Sequence, residues 1–260
     1  MAAVALGPAS TLGRMITNKS SETWQDLQIQ TARILRECGF EVELEKKIQT
    51  VRGEVEVDVY AEEIVKGRKY RILCECKHWK NRVPQNVIHA FRTVVADIGA
   101  NVGYVISLNG FQSGALSAAE LSNIELVDWW EFQSAFEETW FDAYLSLQVV
   151  KDLDQLMTYA EPLAPQWYPD LPDDEKREYG RLKSIYDELG WMLLTFTPYA
   201  RFGPYKERPS LPLREKLIAE SNIPADVLDA VSYREFFEAC LAHGIPAIEK
   251  FGAIRDRNTA

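Results

Sequence analysis

Cysteine is scarce: Cys38, Cys74, Cys76 and Cys240 are the four in 260 residues, and no two form a CxxC pair. A disulfide framework and a zinc knuckle are therefore not expected. Cys74 and Cys76 stand two apart in an apolar stretch and read as small buried side chains on one strand face. Histidine is scarcer still. His78, His89 and His243 share no metal-ligand spacing, which argues against a zinc site. The hydroxyl residues around Ser113 have no His and Asp partners in pattern, so serine hydrolysis has no support. Long apolar runs are missing too. A stretch such as Trp191 to Leu194 falls far short of the roughly 20 residues of a membrane helix. Ala2 to Leu6 is shorter than a signal-peptide core of about 7–15 residues. The chain reads as soluble and cytoplasmic, with no membrane partner. Basic charge is not in excess: the formal net charge is −10, which excludes a strongly basic, salt-driven polyanion binder.

What is present is ordinary globular material, 47% hydrophobic and 26% charged. The length suits one large domain or two small ones. The acidity is uneven. Residues 1–130 hold 15 Lys and Arg against 16 Asp and Glu, whereas residues 131–260 hold 14 against 23. The first half is thus nearly neutral, and the global charge does not exclude nucleic acid from it.

Residues 1–20 are small and polar without pattern and read as a flexible tail. Thr23 to Asp26 looks like a capping box, followed by Trp24, Leu27, Thr31, Ile34, Leu35 and Cys38 at helical spacing and a stop at Gly39. Phe40 to Leu44 reads as a strand. Val51 to Tyr60 alternates, with Val55, Val57 and Val59 on one face and Glu54, Glu56 and Asp58 on the other. After a turn at Lys66 to Arg68, Tyr70 to Cys76 is a third strand, and the three suit an antiparallel meander. Pro84 fits a first helical position, and Val87 to Ile98 repeats with helical period up to Gly99. Val102 to Ser107, Ser113 to Leu121 and Ile124 to Val127 then read as strand, helix and strand. The alternation implies parallel pairing through right-handed crossovers. Residues 21–130 therefore form one α/β domain. Beyond it the chain reads as mostly helical, with Phe132, Phe136, Trp140, Ala143 and Leu147 on one helix face. Two proline-rich stretches, at 162–172 and 198–212, divide this half into short helices, including Leu182 to Leu189 and Tyr233 to Ala242. Trp129 and Trp130 read as core. The role of residues 131–260 is not legible, although their acidity makes them a poor DNA reader.

Two pieces of the first domain carry chemistry. Glu75 and Lys77 flank Cys76 and share a strand face, and Asp58 lies on the polar side of the preceding strand. Pairing those strands brings Asp58 and Glu75 within reach of one cation. Hard oxygen ligands suit Mg²⁺, which retains open positions for water and phosphate. A neighbouring lysine can hold an attacking water and stabilise developing negative charge. The backbone carbonyl of Cys76 is a further candidate ligand. Glu56 reads as solvated.

The text around these residues resembles the Mrr-like branch of the PD-(D/E)XK nucleases. The likeness runs through Leu35 to Phe40, Gly53 to Val59, Ile72 to Trp79, the helix from Val83, Gly103 to Ser107, Gly110 to Leu116 and Ile124 to Asp128. The resemblance implies a restriction-endonuclease-like αβββαβ core and Mg²⁺-dependent DNA cleavage, with Mn²⁺ as a substitute. It assigns Asp58, Glu75 and Lys77 as the catalytic set, with Asp58, Glu75 and Cys76 as metal ligands. The first helix of the family often aims a Glu or Gln at the metal; Gln28 is the candidate here, with Asp26 and Gln25 as rivals. A winged-helix reader common in relatives has no counterpart in the twenty residues before the domain.

Lys80, Arg82, Gln85, His89 and Arg92 could contact phosphates along the helix that follows the motif. The expectation is an endonuclease acting on DNA in restriction or foreign-DNA defence. Cutting two strands with one site per chain favours a homodimer. The alternatives are a catalytically silent nuclease-fold binding or assembly module, and a nuclease acting on RNA or branched DNA.

Overall fold

The computed structural model describes residues 14–202, 207–216 and 220–258. They fall into two units, Lys19–Trp140 and Phe141–Ala260, the latter joined by the N-terminal stretch that ends at Asn18.

The first unit begins with α1 (Trp24–Glu37), whose N-cap Thr23 hydroxyl accepts from the Asp26 amide, as the capping pattern requires. Next come β1 (Glu41–Thr50), β2 (Gly53–Val65) and β3 (Arg68–Lys77), each longer than its hydrophobic pattern suggested. Then follow α2 (Gln85–Ile98), β4 (Val102–Ser107), α3 (Ser113–Ala119), β5 (Ile124–Val127) and α4 (Trp129–Trp140). The sheet order is β1-β2-β3-β4-β5. The first three strands pair antiparallel, and β3, β4 and β5 pair parallel through the α2 and α3 crossovers. This is the expected mixed-sheet αβββαβ core. Ile88, Phe91 and Val95 of α2 pack with Leu73 and Val105 in one apolar cluster. Gly103 lets α2 approach β4: a Cβ there would lie 2.7 Å from Val95 and 2.8 Å from Phe91. Tyr104, Phe132 and Phe136 form an edge-on aromatic cluster within the same unit.

Strict alternation does not run through β2. Val57 shares a core cluster with Tyr60 and Leu73, although a period of two would put Val57 and Tyr60 on opposite faces. The ladders are interrupted at this point. Partners run from Leu44↔Val59 to Lys46↔Val57, skipping Glu45 and Asp58, and Glu45 adopts the left-handed φ of 49°. The β2–β3 ladder starts only at Val59↔Cys74. The register is the same on both sides of this gap, so no residue is inserted; Asp58 lies where β2 is paired with neither neighbour. Pro84 also differs from expectation. Its ψ of 164° makes it the N-cap of α2 rather than its first helical residue.

The second unit is helical: α5 (Ser146–Ala160), α6 (Asp173–Leu194), α7 (Ala225–Asp229) and α8 (Tyr233–Asn258), with short 3₁₀ turns between them. Two of these helices are long, and α8 carries Pro246 inside it, so the prolines do not confine the region to short helices. A π-helical turn at Phe141–Leu145 moves the buried positions to Phe141, Leu145 and Val149. The wider turn inserts one residue per turn, which is why Ala143 and Leu147 are exposed instead of continuing the Phe132 face. Tyr159 stacks on Phe251 at 4.5 Å. Lys183 Nζ donates to the carbonyls of Tyr159, Ala160 and Glu161, the open C-terminal end of α5. Of the stretch expected to be a tail, residues 1–13 lie outside the described residues. Residues 15 and 16 are packed: the amides of Tyr233 and Arg234 donate to the carbonyls of Met15 and Ile16, which satisfies the first turn of α8. Ile16 is fully buried. No helix among the described residues is long and apolar enough to cross a membrane.

Candidate active site

The site forms where β2 and β3 part company. Because the ladder lapses before Val59, the Asp58 side chain takes a place that backbone would otherwise fill. Its Oδ2 accepts from the Cys76 amide at 2.7 Å. In an extended strand the N–H and C=O of one residue point to the same side. The Cys76 carbonyl therefore faces the side on which Asp58 lies, as a ligand would have to. Glu75 and Lys77 flank Cys76 with their side chains on the face opposite its thiol, within charge interaction of Asp58, and Lys77 Nζ donates to Glu75 Oε1.

Gln28 reaches this cluster from the second turn of α1. It is buried, and its side chain beside Asp58 favours the ionised carboxylate. Of the three α1 candidates, Gln28 is the one joined to the site. Gln25 is exposed, and Asp26 is occupied in capping, accepting from the Glu22 amide and the Gln30 side chain. The α1 register is held from below by Leu27, Thr31 and Ala32, all buried, with the Thr31 hydroxyl 3.9 Å from Cys76 Sγ. The cysteines are structural, as expected: burial pushes the Cys74 and Cys76 thiols well above their ordinary range.

Electrostatically the cluster is short of positive charge. Burial raises the Asp58 carboxyl above its usual range, against the opposing pull of the Cys76 amide, Lys77 and Gln28. Burial also raises Glu75, and the Asp58 charge adds to that rise while Lys77 opposes it. Two half-buried carboxylates sharing one ammonium are the arrangement a cation would relieve. The donors are all oxygen, two carboxylates and a carbonyl, which fits a hard divalent ion that keeps several waters. Among the described residues no group of three or more His, Cys, Asp and Glu side chains is placed to hold a metal. Glu56 is exposed and acts on Asp58 only by its charge.

The candidate phosphate contacts divide in two. Lys80 and Arg82 are exposed, and no ion pair engages either among the described residues. Gln85 and His89 pair with each other at 3.0 Å, and Arg92 donates to the Ala118 carbonyl at 2.7 Å at the end of α3. Trp79 was not singled out by sequence reasoning, yet its ring lies 5.0 Å from Lys77 Nζ and is 43% exposed. The signal available in the sequence was only an aromatic two residues past the lysine.

Comparison with known proteins finds a family match over the first unit. Residues 20–136 match the family model of the restriction endonuclease (Mrr) catalytic domain. Among curated proteins no match is found. A solved structure titled "Crystal Structure of Protein of Unknown Function AF1548" superposes with a TM-score of 0.35 at 18% identity, over 65% of this chain and 98% of that one. A likeness that distant bears no weight here. Residues 20–136, which hold every element and side chain of the site, are thus similar to the catalytic domain of the Mrr-like restriction endonucleases.

Proposed function

We propose that this chain is a metal-dependent endonuclease that hydrolyses DNA phosphodiester bonds, with Mg²⁺ as cofactor and Mn²⁺ as a substitute. The single observation that carries the reading is the convergence of Asp58, Glu75, Lys77 and Gln28 at the parting of β2 and β3. A binding-only module has no reason to gather two half-buried acids and a lysine at one strand end, where they weaken the fold.

In this reading Asp58, Glu75 and the Cys76 carbonyl hold the ion. A divalent cation bound there supplies a water of lowered pKa and polarises a phosphoryl oxygen. The protein's own groups do the rest. The Cys76 amide and the Gln28 side chain fix the Asp58 carboxylate in one rotamer, so no reorganisation is needed when substrate arrives. Lys77 is held beside Glu75, where it can orient an attacking water and stabilise the charge that grows on the phosphoryl group. Lys80 and Arg82 are free to meet flanking phosphates. The acidic helical unit repels DNA and is not the reader. Restriction of incoming DNA in the cytoplasm, by a homodimer with one site per strand, is the biological setting that fits.

The test is incubation of supercoiled plasmid, methylated and unmethylated, with Mg²⁺ or EDTA. The expected result is nicked or linear DNA with Mg²⁺, none with EDTA, and none from Glu75→Ala. DNA binding without cleavage in Mg²⁺ or Mn²⁺ would mark a silent binding module, and cleavage confined to RNA or branched DNA would reassign the substrate.

A further inference from the structure

The indole of Trp79 lies beside the site, and the mechanism above does not use it. Trp129 and Trp140 in the same unit are almost wholly buried, and their ring nitrogens donate to Lys19 and Glu37. Trp24, Trp79 and Trp130 are about equally exposed, Trp130 against the expectation that it is core, and of these Trp79 is the one that lies against the Lys77 ammonium. An indole left in water beside a reactive lysine offers an unused π-face.

Its position is held, not incidental. The Leu108 amide donates to the Lys77 carbonyl at 3.3 Å, and the Asn109 side-chain amide donates to the Trp79 carbonyl. These two bonds tie the segment after β3 to the segment after β4, so the backbone that carries the indole is anchored. Lys80 and Arg82 follow it with exposed, unengaged charges that suit a phosphate backbone running past the ring.

We propose that Trp79 is a stacking platform for a nucleobase next to the scissile phosphate, and that the preferred substrate is DNA with an unstacked nucleotide at the cleavage point. An indole can stack only on a base that has left the helix or was never in one. The site therefore selects single strands, frayed ends or distorted duplex over regular B-form DNA. This rests on the nuclease reading above and narrows its substrate.

The experiment uses the full chain and a short end-labelled oligodeoxynucleotide, as a single strand and as the matching duplex. Binding is measured in EDTA and cleavage with Mg²⁺. Wild-type protein is expected to bind and cleave the single strand better. Trp79→Ala should weaken single-strand binding and raise KM by roughly 5- to 100-fold, the range for loss of one stacked base, with kcat nearly kept. Trp79→Phe should restore most of the affinity, and the duplex should be little affected. Asn109→Ala, which frees the platform's backbone and leaves the indole, should give a smaller loss on the single strand only. Equal losses on both substrates, or a loss confined to kcat, would show that Trp79 acts only by positioning Lys77, and would overturn the proposal. Duplex cleavage with an inert Trp79→Ala would overturn it while sparing the nuclease reading. No binding and no cleavage by wild type would overturn both.

Discussion

Replacing Lys77 by methionine separates chemistry from packing at this site. The methionine keeps most of the apolar stem and deletes the ammonium. In the structure the Lys77 and Glu75 side chains are 15% and 22% exposed, so their pair lies between a surface ion pair and a buried one. Surface pairs are worth about 0.2–1 kcal/mol, and breaking a buried pair costs about 3–5 kcal/mol. A loss near 2 kcal/mol is therefore expected, including about 0.5–1 kcal/mol for the lost contact with the Trp79 ring. Part of the cost is the Glu75 charge left beside Asp58 without its counter-charge. A domain of ordinary stability, about 5–15 kcal/mol, survives this, with a Tm lower by roughly 8 °C. The catalytic loss should be far larger. Removing one preorganised charge-stabilising group costs about 10²–10³ in rate. Single-turnover nicking of supercoiled plasmid in Mg²⁺ at 25 °C, beside urea unfolding of the same protein, reads both quantities. Folded Lys77→Met that nicks at the wild-type rate would refute the role assigned to the ammonium.

Three further outcomes are expected. Lys80→Ala with Arg82→Ala should weaken DNA binding without changing sequence preference and flatten the salt dependence by about two phosphate contacts, a change in slope of roughly 1.8 on duplex DNA, read from binding titrations across salt concentrations; an unchanged slope would place the phosphates elsewhere. Gly103→Ala should destabilise the nuclease unit by about 1–3 kcal/mol in urea melts, because its methyl meets Val95, Phe91 and Ile124 together and none of the three can swing clear in a packed core. Glu62 accepts from Tyr60 at 2.6 Å and pairs with Lys69 and Arg71, which hold its carboxyl down at about 2. A depressed carboxylate adds stability above its unfolded pKa and loses it as pH falls toward 2. Glu62→Gln should therefore cost about 1 kcal/mol at neutral pH and narrow the stability gap to wild type in acid, as followed by thermal melts from pH 7 downward.

The order and types of the elements in the first unit were legible in the sequence because their information is local. Thr23 caps, Gly39 and Gly99 stop helices, and the period changes from two to 3.6 at Pro84. Asp58, Glu75 and Lys77 stood out as candidates because two charged residues two apart end an apolar strand, but that pattern alone also fits a solvated pair, and the family resemblance was what joined the three. The family resemblance also marked Gln28, with Gln25 and Asp26 as rivals. Only the tertiary structure decided among those three, because the choice depends on how α1 is rotated over the sheet. The gap in pairing at Asp58 was also invisible: it faces a left-handed residue on the neighbouring strand, Glu45, where nothing in the sequence demands a positive φ. The π turn at 141–145, which undid the reading of Ala143 and Leu147, is a choice between two helix geometries of similar local energy. Arg92 was read as a free phosphate contact and lies instead on the Ala118 carbonyl, since a long side chain goes to whichever acceptor folding brings near. Local propensity names the elements and their charges; packing between segments far apart in the chain chooses which side chains meet.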